Sequence, residues 1–310
     1  MRRLIISSMI TVLFFFRLIA QTHIHPDLPF SIPPEKIVPL RQLVHTEFQK
    51  RFETVLKQNR SWALLIRKKK LAVGLVDLSD TLNIRYARVN GDVMLYAASL
   101  PKLAILLAAE DALEKGVLEE NKAVLEDMRI MIARSDNQAA SRMIDRLGFK
   151  TIENVLRQPQ YELYDPERGG GLWVGKAYAC DAKRYPDPLM GISHGATVTQ
   201  VCRFYYLLAM GKLISRERCI QMLNILSDPE IHHKFVHTYD EIAPRAVLYR
   251  KSGTWKKWHS DSVLIWGPEW RRYILVALVE DANGENILRN LIPAVETVLQ
   301  HKYKLSTGNE

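Results

Sequence analysis

Residues 99–116 read SLPKLAILLAAEDALEKG, and this stretch decides the fold. The segment Ser99–Leu113 is apolar and rich in helix-forming residues, and it follows residues that favour a strand. Pro101 falls in the first helical turn, where the N–H that proline lacks would have no partner in the helix. Gly116 is a suitable end point. The stretch therefore predicts a helix that begins where a strand region ends.

Helical and strand-like patterns surround this helix in a definite order. Before it, apolar residues spaced three to four apart predict a helix over 37–55, and alternating residues predict a strand pair at 71–78 and 82–87. After it come predicted helices at about 122–133, 137–147, 197–212 and 215–226, then strands at 247–255, 262–266 and 273–280 and a closing helix at about 287–303.

This order predicts an α/β fold of the α+β kind. Strands from both ends of the chain would form a five-stranded, mostly antiparallel sheet flanked by helices, with an all-helical subdomain inserted between the strands. The sheet subdomain would comprise about 33–95 and 240–310, and the helical subdomain about 99–230. Segment 158–196 is the least regular part, and a loop of that length in a compact domain is usually functional.

The first twenty residues have the pattern of an export signal. Arg2 and Arg3 precede the uncharged stretch 4–16, which is too short to span a bilayer, and Ala20 offers a small residue for cleavage. No cysteine precedes Cys180, so a lipoprotein attachment site is not expected. We therefore expect residues 21–310 to form an exported domain, periplasmic or extracellular, without a stable membrane span after cleavage.

Composition indicates an ordinary folded protein. Hydrophobic residues make up 47% and charged residues 25% of the chain, which argues against disorder and against a disulfide-dense miniprotein. The formal net charge of +9 includes three arginines of the signal segment, and the remaining excess is too diffuse to imply nucleic acid as a partner. The three cysteines, an odd number, leave one disulfide or buried thiols open.

The first chemical motif is Ser99-Leu-Pro-Lys102, the one Ser-x-x-Lys of the sequence. A spacing of three places both side chains on one helix face. A lysine that is partly desolvated loses its proton more readily and can serve as a base for a neighbouring hydroxyl. The N–H groups of the helix start would favour negative charge that develops there. Ser99 and Lys102 are therefore candidate catalytic residues.

Two further motifs follow downstream. Ser135-Asp-Asn137 lies between two predicted helices, and Lys251-Ser-Gly-Thr254 lies within the first of the C-terminal strands. Acyl transfer needs a relay that protonates the leaving group, an amide that holds substrate and a cation for a carboxylate. Gly253 would allow a ligand to approach the strand backbone closely. These motifs add candidates for the same chemistry.

Together the motifs resemble those of the penicillin-recognising serine hydrolases, most closely the class A β-lactamases. The resemblance covers most of the chain after the signal and implies a β-lactamase or transpeptidase-like fold. It implies that Ser99 is the acylated nucleophile, that Lys102 is its base or proton partner, and that Ser135 passes a proton to the leaving nitrogen.

The same resemblance implies the substrate-binding residues. Asn137 would hold Lys102 and the substrate amide, and Lys251 would attract the substrate carboxylate. Ser252, Gly253 and Thr254 would line the substrate beside it. The backbone N–H groups of Ser99 and Thr254 would form the oxyanion hole.

Two features depart from the class A pattern. The interval between Ser99 and Ser135 is shorter than is typical, which predicts a more open rim around the site. The E-x-x-L-N element, whose glutamate activates the deacylating water, does not occur before Thr197. Acidic residues such as Glu162, Asp165, Glu167 and Asp181 do occur in that loop, but none of these stands in the family's pattern. We assign that role to no residue.

Two other motifs have less support. Gly191-Ile-Ser193-His-Gly195 matches the G-x-S-x-G nucleophile elbow of α/β-hydrolases, but Pro186 and Pro188 occupy the place of the strand that the elbow requires. His232, His233 and His237 lack the glutamate of H-E-x-x-H and an evident third ligand, so we expect no metal.

The sequence therefore predicts an exported serine hydrolase that works through a Ser99 acyl-enzyme, with no metal or cofactor. β-Lactam hydrolysis is the first expectation. A D,D-peptidase or esterase that acts on cell-wall peptides is an alternative, and so is a penicillin-binding sensor that does not turn over. The partner would be a small molecule, either a β-lactam or a cell-wall peptide, and the protein would be a monomer.

Overall fold

The computed structural model describes residues 28–30, 32–179, 183–268 and 270–307. Its helices are α1 (Thr46–Gln58), α2 (Arg60–Arg67), α3 (Lys102–Glu114), α4 (Lys122–Ala133), α5 (Asn137–Leu147), α6 (Phe149–Leu156), α7 (Val198–Ala209), α8 (Arg216–Leu226), α9 (Phe235–Ile242) and α10 (Gly284–Thr307). Its strands are β1 (Leu71–Asp77), β2 (Arg85–Val89), β3 (Leu95–Tyr96), β4 (Tyr164–Asp165), β5 (Gly170–Gly171), β6 (Trp173–Val174), β7 (His194–Ala196), β8 (Val247–Trp255), β9 (Trp258–Trp266) and β10 (Arg272–Glu280). The predicted signal, residues 1–20, lies outside the described residues.

Both ends of the chain contribute to one antiparallel sheet. Its strand order is β2-β1-β10-β9-β8, so β1 from the N-terminal part pairs with β10 from the C-terminal part. Leu71 lies opposite Val279 and Asp77 opposite Tyr273 in that pairing. The predicted mixed fold with a five-stranded antiparallel sheet is confirmed.

Helices cover both faces of the sheet. On β1, Leu71, Val73 and Leu75 belong to the core formed with α1, α2, α9 and α10, whereas Ala72 and Val76 belong to the core on the opposite side. A side chain at Gly74 would collide with Cys202 of α7, since a Cβ there would lie 2.7 Å from its Sγ. Burial on both faces explains why β1 is a continuous apolar run rather than an alternating one.

The helix predicted after Ser99 is α3, and it lies at the centre of the helical part of the structure. α3 contacts α4, α5, α6 and α8, and its residues from 102 to 113 are all buried. A helix that is apolar all round must be covered on every side. Three charged residues in this buried set, Lys102, Glu110 and Asp111, are therefore exceptions that need partners.

Several element boundaries differ from the predictions. The predicted helix 37–55 begins only at Thr46, because Pro39 interrupts the pattern and the preceding residues form short 3-10 turns. β2 starts at Arg85 instead of 82, and β9 starts at Trp258 instead of 262. Between the strands of the sheet, β4–β7 and α6 were not predicted, and neither was α9.

The early start of β9 has a clear physical reason. Ser260, Asp261 and Ser262 are polar but buried, and each has a hydrogen-bond partner. Ser260 donates to the carbonyl of Ala97 (2.8 Å), Asp261 accepts from Arg250 (2.8 and 2.9 Å), and Ser262 donates to the carbonyl of Lys251 (2.8 Å). Satisfied polar side chains can lie inside a sheet. Sequence patterning treats the same residues as a turn.

Membrane spans and cysteines can be placed for the described part of the chain. No helix there combines the length and the hydropathy needed to cross a bilayer. Cys202 and Cys219 are buried free thiols, and Cys180 lies outside the described residues.

We predict that Asp261→Ala lowers the free energy of unfolding by about 3–5 kcal/mol, because it leaves the Arg250 guanidinium buried without its carboxylate. Urea denaturation followed by circular dichroism measures this loss. The control is Glu53→Gln, which removes an exposed ion pair with Lys57 and should cost about 0.5 kcal/mol or less. Equal losses for the two variants would contradict the prediction.

Candidate active site

Ser99 lies in the turn between β3 and α3, pressed against β8. Ala98, the residue before it, has a φ of +51°, in the left-handed region that non-glycine residues rarely adopt. A Cβ at Gly253 of β8 would lie 2.5 Å from the backbone nitrogen of Ser99 and 2.8 Å from that of Leu100. Only glycine permits this approach, which agrees with the expectation that Gly253 allows close backbone contact.

Lys102 is completely buried one helical turn after Ser99. Its Nζ donates to the Asn137 Oδ1 (2.8 Å) and to the Ser135 carbonyl (2.7 Å), and it lies 4.5 Å from the centre of the Tyr178 ring. Burial lowers the pKa of Lys102 from 10.5 to about 7, although the nearby Asp136 acts in the opposite direction. A substantial fraction of Lys102 is therefore the neutral amine at neutral pH.

A second buried lysine meets the first at Ser135. The Lys251 Nζ donates to the Ser135 Oγ (2.9 Å) and to the Ser252 carbonyl (2.7 Å), while the Lys102 Nζ lies 3.5 Å from the same Oγ. Burial, followed by repulsion from Lys102, lowers the pKa of Lys251 well below its usual value. Ser135 has a φ of +55°, which directs this hydroxyl between the two amines.

The helix that carries Asn137 is anchored beside Ser135. The Asp136 side chain accepts from the Ala139 N–H (2.7 Å) and so caps α5, of which Asn137 is the first residue. This cap holds Asn137 against Lys102. The Ser135-Asp-Asn137 motif therefore serves both the helix start and the site.

The remaining residues of the β8 motif face different surroundings. Thr254 lines the cleft, and its Oγ1 accepts from Lys234 (2.8 Å), a buried lysine that the sequence analysis did not single out. Lys234 also donates to the Gly253 carbonyl (2.6 Å), and burial lowers its pKa to about 8. Ser252 is buried against His233, whose Nε2 lies 3.1 Å from its Oγ. Ser252 does not belong to the described lining of the cleft.

An open cleft of about 480 Å³ lies over Ser99. Its rim includes Trp255 and Trp258 from the β8–β9 hairpin and Tyr96 from β3, and the Tyr96 and Trp258 ring centres are 5.5 Å apart. Trp255 is 55% exposed. The rim therefore offers aromatic surface to a ligand.

The long irregular segment supplies the opposite wall. Lys176, Ala177, Tyr178, Ser193 and His194 line the cleft from this side. The Tyr178 hydroxyl donates to the Ala98 carbonyl (3.3 Å), next to Ser99. The sequence marked the segment as functional but did not identify Tyr178 or His194, because a single tyrosine or histidine in a loop carries no spacing signal.

None of the described residues that line the cleft is an aspartate or glutamate. Glu162 and Arg168 line a separate cavity near Gln200, and Glu167 lies exposed beside them. Asp165 pairs with Arg168 at 3.4 Å. Asp181 lies outside the described residues. Among the described lining residues, the titratable groups are thus Lys176, Tyr96, Tyr178 and His194.

The histidines considered as a metal pair are also accounted for. His232 contacts Asp240 (2.7 Å), His237 lies 3.8 Å from Glu241, and His233 packs behind β8. No cluster of three metal-ligating side chains occurs among the residues that the structure describes.

Comparison with known proteins assigns a family. A family model described as the beta-lactamase enzyme family matches residues 122–300. The chain belongs to this family. A search of curated proteins gave no significant match.

Solved beta-lactamase folds resemble this family member over most of its length. A beta-lactamase from Sphaerobacter thermophilus is 16% identical, with a TM-score of 0.62 over 83% of this chain and 97% of its own. A PBP-A mutant, solved as an acyl-enzyme complex with penicillin G, is 19% identical, with a TM-score of 0.62 over 86% of this chain and 100% of its own.

A third similar structure is a mutant of the class A beta-lactamase of the last common ancestor of Gram-negative bacteria. It is 16% identical, with a TM-score of 0.62 over 80% of this chain and 99% of its own. Identities this low establish the shared fold alone. The family match, together with this shared fold, confirms the predicted β-lactamase-like and penicillin-binding superfamily.

We predict that Lys102 titrates near pH 7, because burial disfavours its charged form. The amine would be protonated below about pH 6 and neutral above about pH 8. NMR measures this titration through the chemical shifts of the lysine Cε carbons, followed from pH 5 to 10. The signal of Lys102 is identified as the one that is missing from the spectrum of Lys102→Met. A midpoint near 10.5 for that signal would contradict the burial argument.

Proposed function

We propose that this protein is an exported serine hydrolase that forms an acyl-enzyme on Ser99, and that its reaction is β-lactam hydrolysis. One observation carries the proposal: two buried lysines, both with lowered pKa values, contact the Ser135 hydroxyl beside the Ser99 turn. Within the described part of the chain, the hydrogen bonds of the two amines go to hydroxyl, amide and carbonyl oxygens and to no carboxylate. Burying amines in this way is costly, and a role in proton transfer explains it.

Acylation follows from this arrangement. The Ser99 Oγ attacks the carbonyl carbon of the substrate while Lys102, in its neutral form, takes the hydroxyl proton. Ser135 then gives its proton to the nitrogen that leaves, and a proton from the lysines replaces it. The distances of 2.9 and 3.5 Å from Ser135 to the two amines support this relay.

The negative charge on the attacked oxygen would be stabilised by backbone N–H groups. We assign these to Ser99 and Thr254. The contact of Gly253 with the Ser99 backbone supports the assignment, because it holds β8 against the turn that starts α3. Rigid donors of this kind lower the barrier without needing to reorganise.

A substrate carboxylate would be held at the end of β8. Thr254 lines the cleft, and because its oxygen accepts from Lys234, its own proton is directed to another acceptor. The Lys251 amine, which carries a positive charge when it is protonated, would attract an anion at the same place. Aromatic groups at the rim suit an apolar acyl side chain, such as the benzyl group of benzylpenicillin.

A second candidate is a penicillin-binding peptidase or esterase that acts on cell-wall peptides, or a sensor that keeps its adduct. The observation that favours it is the absence of a carboxylate from the described lining of the cleft, together with the missing E-x-x-L-N element. Such a site would be acylated readily but would release its product slowly.

The remaining parts of the proposal rest on the sequence. The segment 1–20 supports export to the periplasm or the outside of the cell. Helical and sheet subdomains, a monomeric state and a mechanism without metal or cofactor complete the proposal.

Ser99→Ala should abolish covalent labelling by benzylpenicillin and leave the fold intact, since the change removes a single hydroxyl from a residue that lines an open cleft. Intact-mass spectrometry detects the adduct, and peptide mapping locates it. Ser227→Ala, which changes a serine at the end of α8, is the control and should label normally. An adduct on Ser99→Ala, or one mapped to another serine, would refute the nucleophile assignment.

Lys251→Ala should raise KM for benzylpenicillin by about tenfold to a hundredfold, the range for a lost charged hydrogen bond. The effect should exceed the change in kcat, and it should be much smaller for the methyl ester, which lacks the carboxylate. Steady-state kinetics with both substrates test this. The same KM increase for acid and ester would show that Lys251 does not recognise the carboxylate.

A further inference from the structure

The loop that ends at β7 delivers an unexpected pair of side chains to the cleft. Ser193 and His194 belong to the G-x-S-x-G match at 191–195, and both line the cleft over Ser99. The backbone N–H of Ala97 donates to the His194 carbonyl (2.9 Å), so the pair is tied to the strand that leads into the Ser99 turn. The motif thus reaches the site without forming a nucleophile elbow.

We propose that Ser193 and His194 activate the water that hydrolyses the Ser99 acyl-enzyme. This inference rests on the proposed function, because it supplies the step for which no residue was assigned. It concerns release of the product and leaves acylation to Ser99, Lys102 and Ser135.

The hydrogen bonds of His194 determine its tautomer. Its Nε2 lies 3.0 Å from the Lys176 carbonyl oxygen, and a carbonyl can only accept, so Nε2 carries the hydrogen. The neutral ring then has its lone pair on Nδ1, which lies 3.1 Å from the Ser193 Oγ. Ser193 therefore donates to His194 and keeps its own lone pairs for a proton from water.

The surroundings keep His194 neutral. Lys102 and Lys176 are the cations near it, and the rings of Tyr178 (4.3 Å) and Tyr96 (6.1 Å) pack against it. Burial is the main cause that lowers its pKa, to about 4. An imidazole of this pKa is about as basic as an ordinary carboxylate, for which the usual value is about 4. It can thus replace a glutamate as general base.

The hydrolytic step balances with these groups alone. The water oxygen bonds to the acyl carbon while one water proton passes to the Ser193 Oγ and the Ser193 proton passes to the His194 Nδ1. The bond between the acyl carbon and the Ser99 oxygen then breaks, and the proton returns through Ser193 to that oxygen. The second water proton stays on the carboxylic acid product.

Tyr178, another polar side chain of this wall, is less suited to the role. Its hydroxyl already donates to the Ala98 carbonyl, and burial raises its pKa well above the usual value. A phenol in that state is a very weak acid and cannot supply a base at neutral pH. Its ring instead covers Lys102 and packs on His194.

The test compares full-length mature protein with three variants in single turnover with benzylpenicillin. His194→Gln keeps a donor for the Lys176 carbonyl but removes the Nδ1 base, and Ser193→Ala removes the relay. His237→Gln, an exposed histidine of α9, is the matched control. Intact-mass spectrometry gives acylation and deacylation rates separately, and circular dichroism confirms folding.

We expect deacylation to slow by about 100-fold or more in His194→Gln and Ser193→Ala, the range for loss of a general base, with acylation changed less than about threefold. Deacylation by the unmodified protein should fall as pH drops through about 4, where His194 gains a proton, and this fall should disappear in His194→Gln.

Three results would overturn the inference. Unchanged adduct lifetimes in both variants would exclude Ser193 and His194 as the base. An adduct of the unmodified protein that persists for hours would mean that no group performs the hydrolytic step. In both cases the acylation of Ser99 would still hold. If no adduct forms at all, the proposed function fails together with the inference.

Discussion

The burial of Lys102 and Lys251 around one serine hydroxyl is the constraint on which the site depends. Desolvating two amines costs several kcal/mol each, and the surrounding backbone offsets part of this cost through the carbonyls of Ser135 and Ser252. These carbonyls lie where they do because Ser135 adopts a left-handed conformation and β8 runs past α3 at the distance that Gly253 allows. The positions of α3, α5 and β8 are therefore all coupled to the two amines.

The sheet and the helices that cover its two faces hold α3 and β8 in these positions. α3 is covered on every side, so Ser99 and Lys102 cannot shift relative to the core. β8 lies at the sheet edge, yet it is held by β9 along nine paired residues and by Arg250, whose buried ion pair with Asp261 ties the two strands together. Rigid support from both sides is what a site with strained backbone at Ala98 and Ser135 requires.

The sequence predicts the parts of this protein that depend on local patterns. The apolar helix after Ser99, the strands β1, β8 and β10 and the three motifs all have a period or spacing that can be read directly. The polar start of β9, the burial of Lys234 and the approach of His194 cannot be predicted in this way. Each depends on partners distant along the chain, such as Ala97 for Ser260 and Thr254 for Lys234.

A neutral base on the loop wall would also protect the acylation machinery. A carboxylate beside Lys102 would stabilise its ammonium form and raise its pKa, so less of the lysine would be available as a base at neutral pH. Tyr178 and His194 add no negative charge there, and the pKa of Lys102 stays near 7. Under the proposed function, an imidazole of similar basicity in place of a carboxylate would separate two proton transfers: the one from Ser99 to Lys102 in acylation and the one from water in deacylation. The base for water would then leave the pKa of Lys102 unchanged.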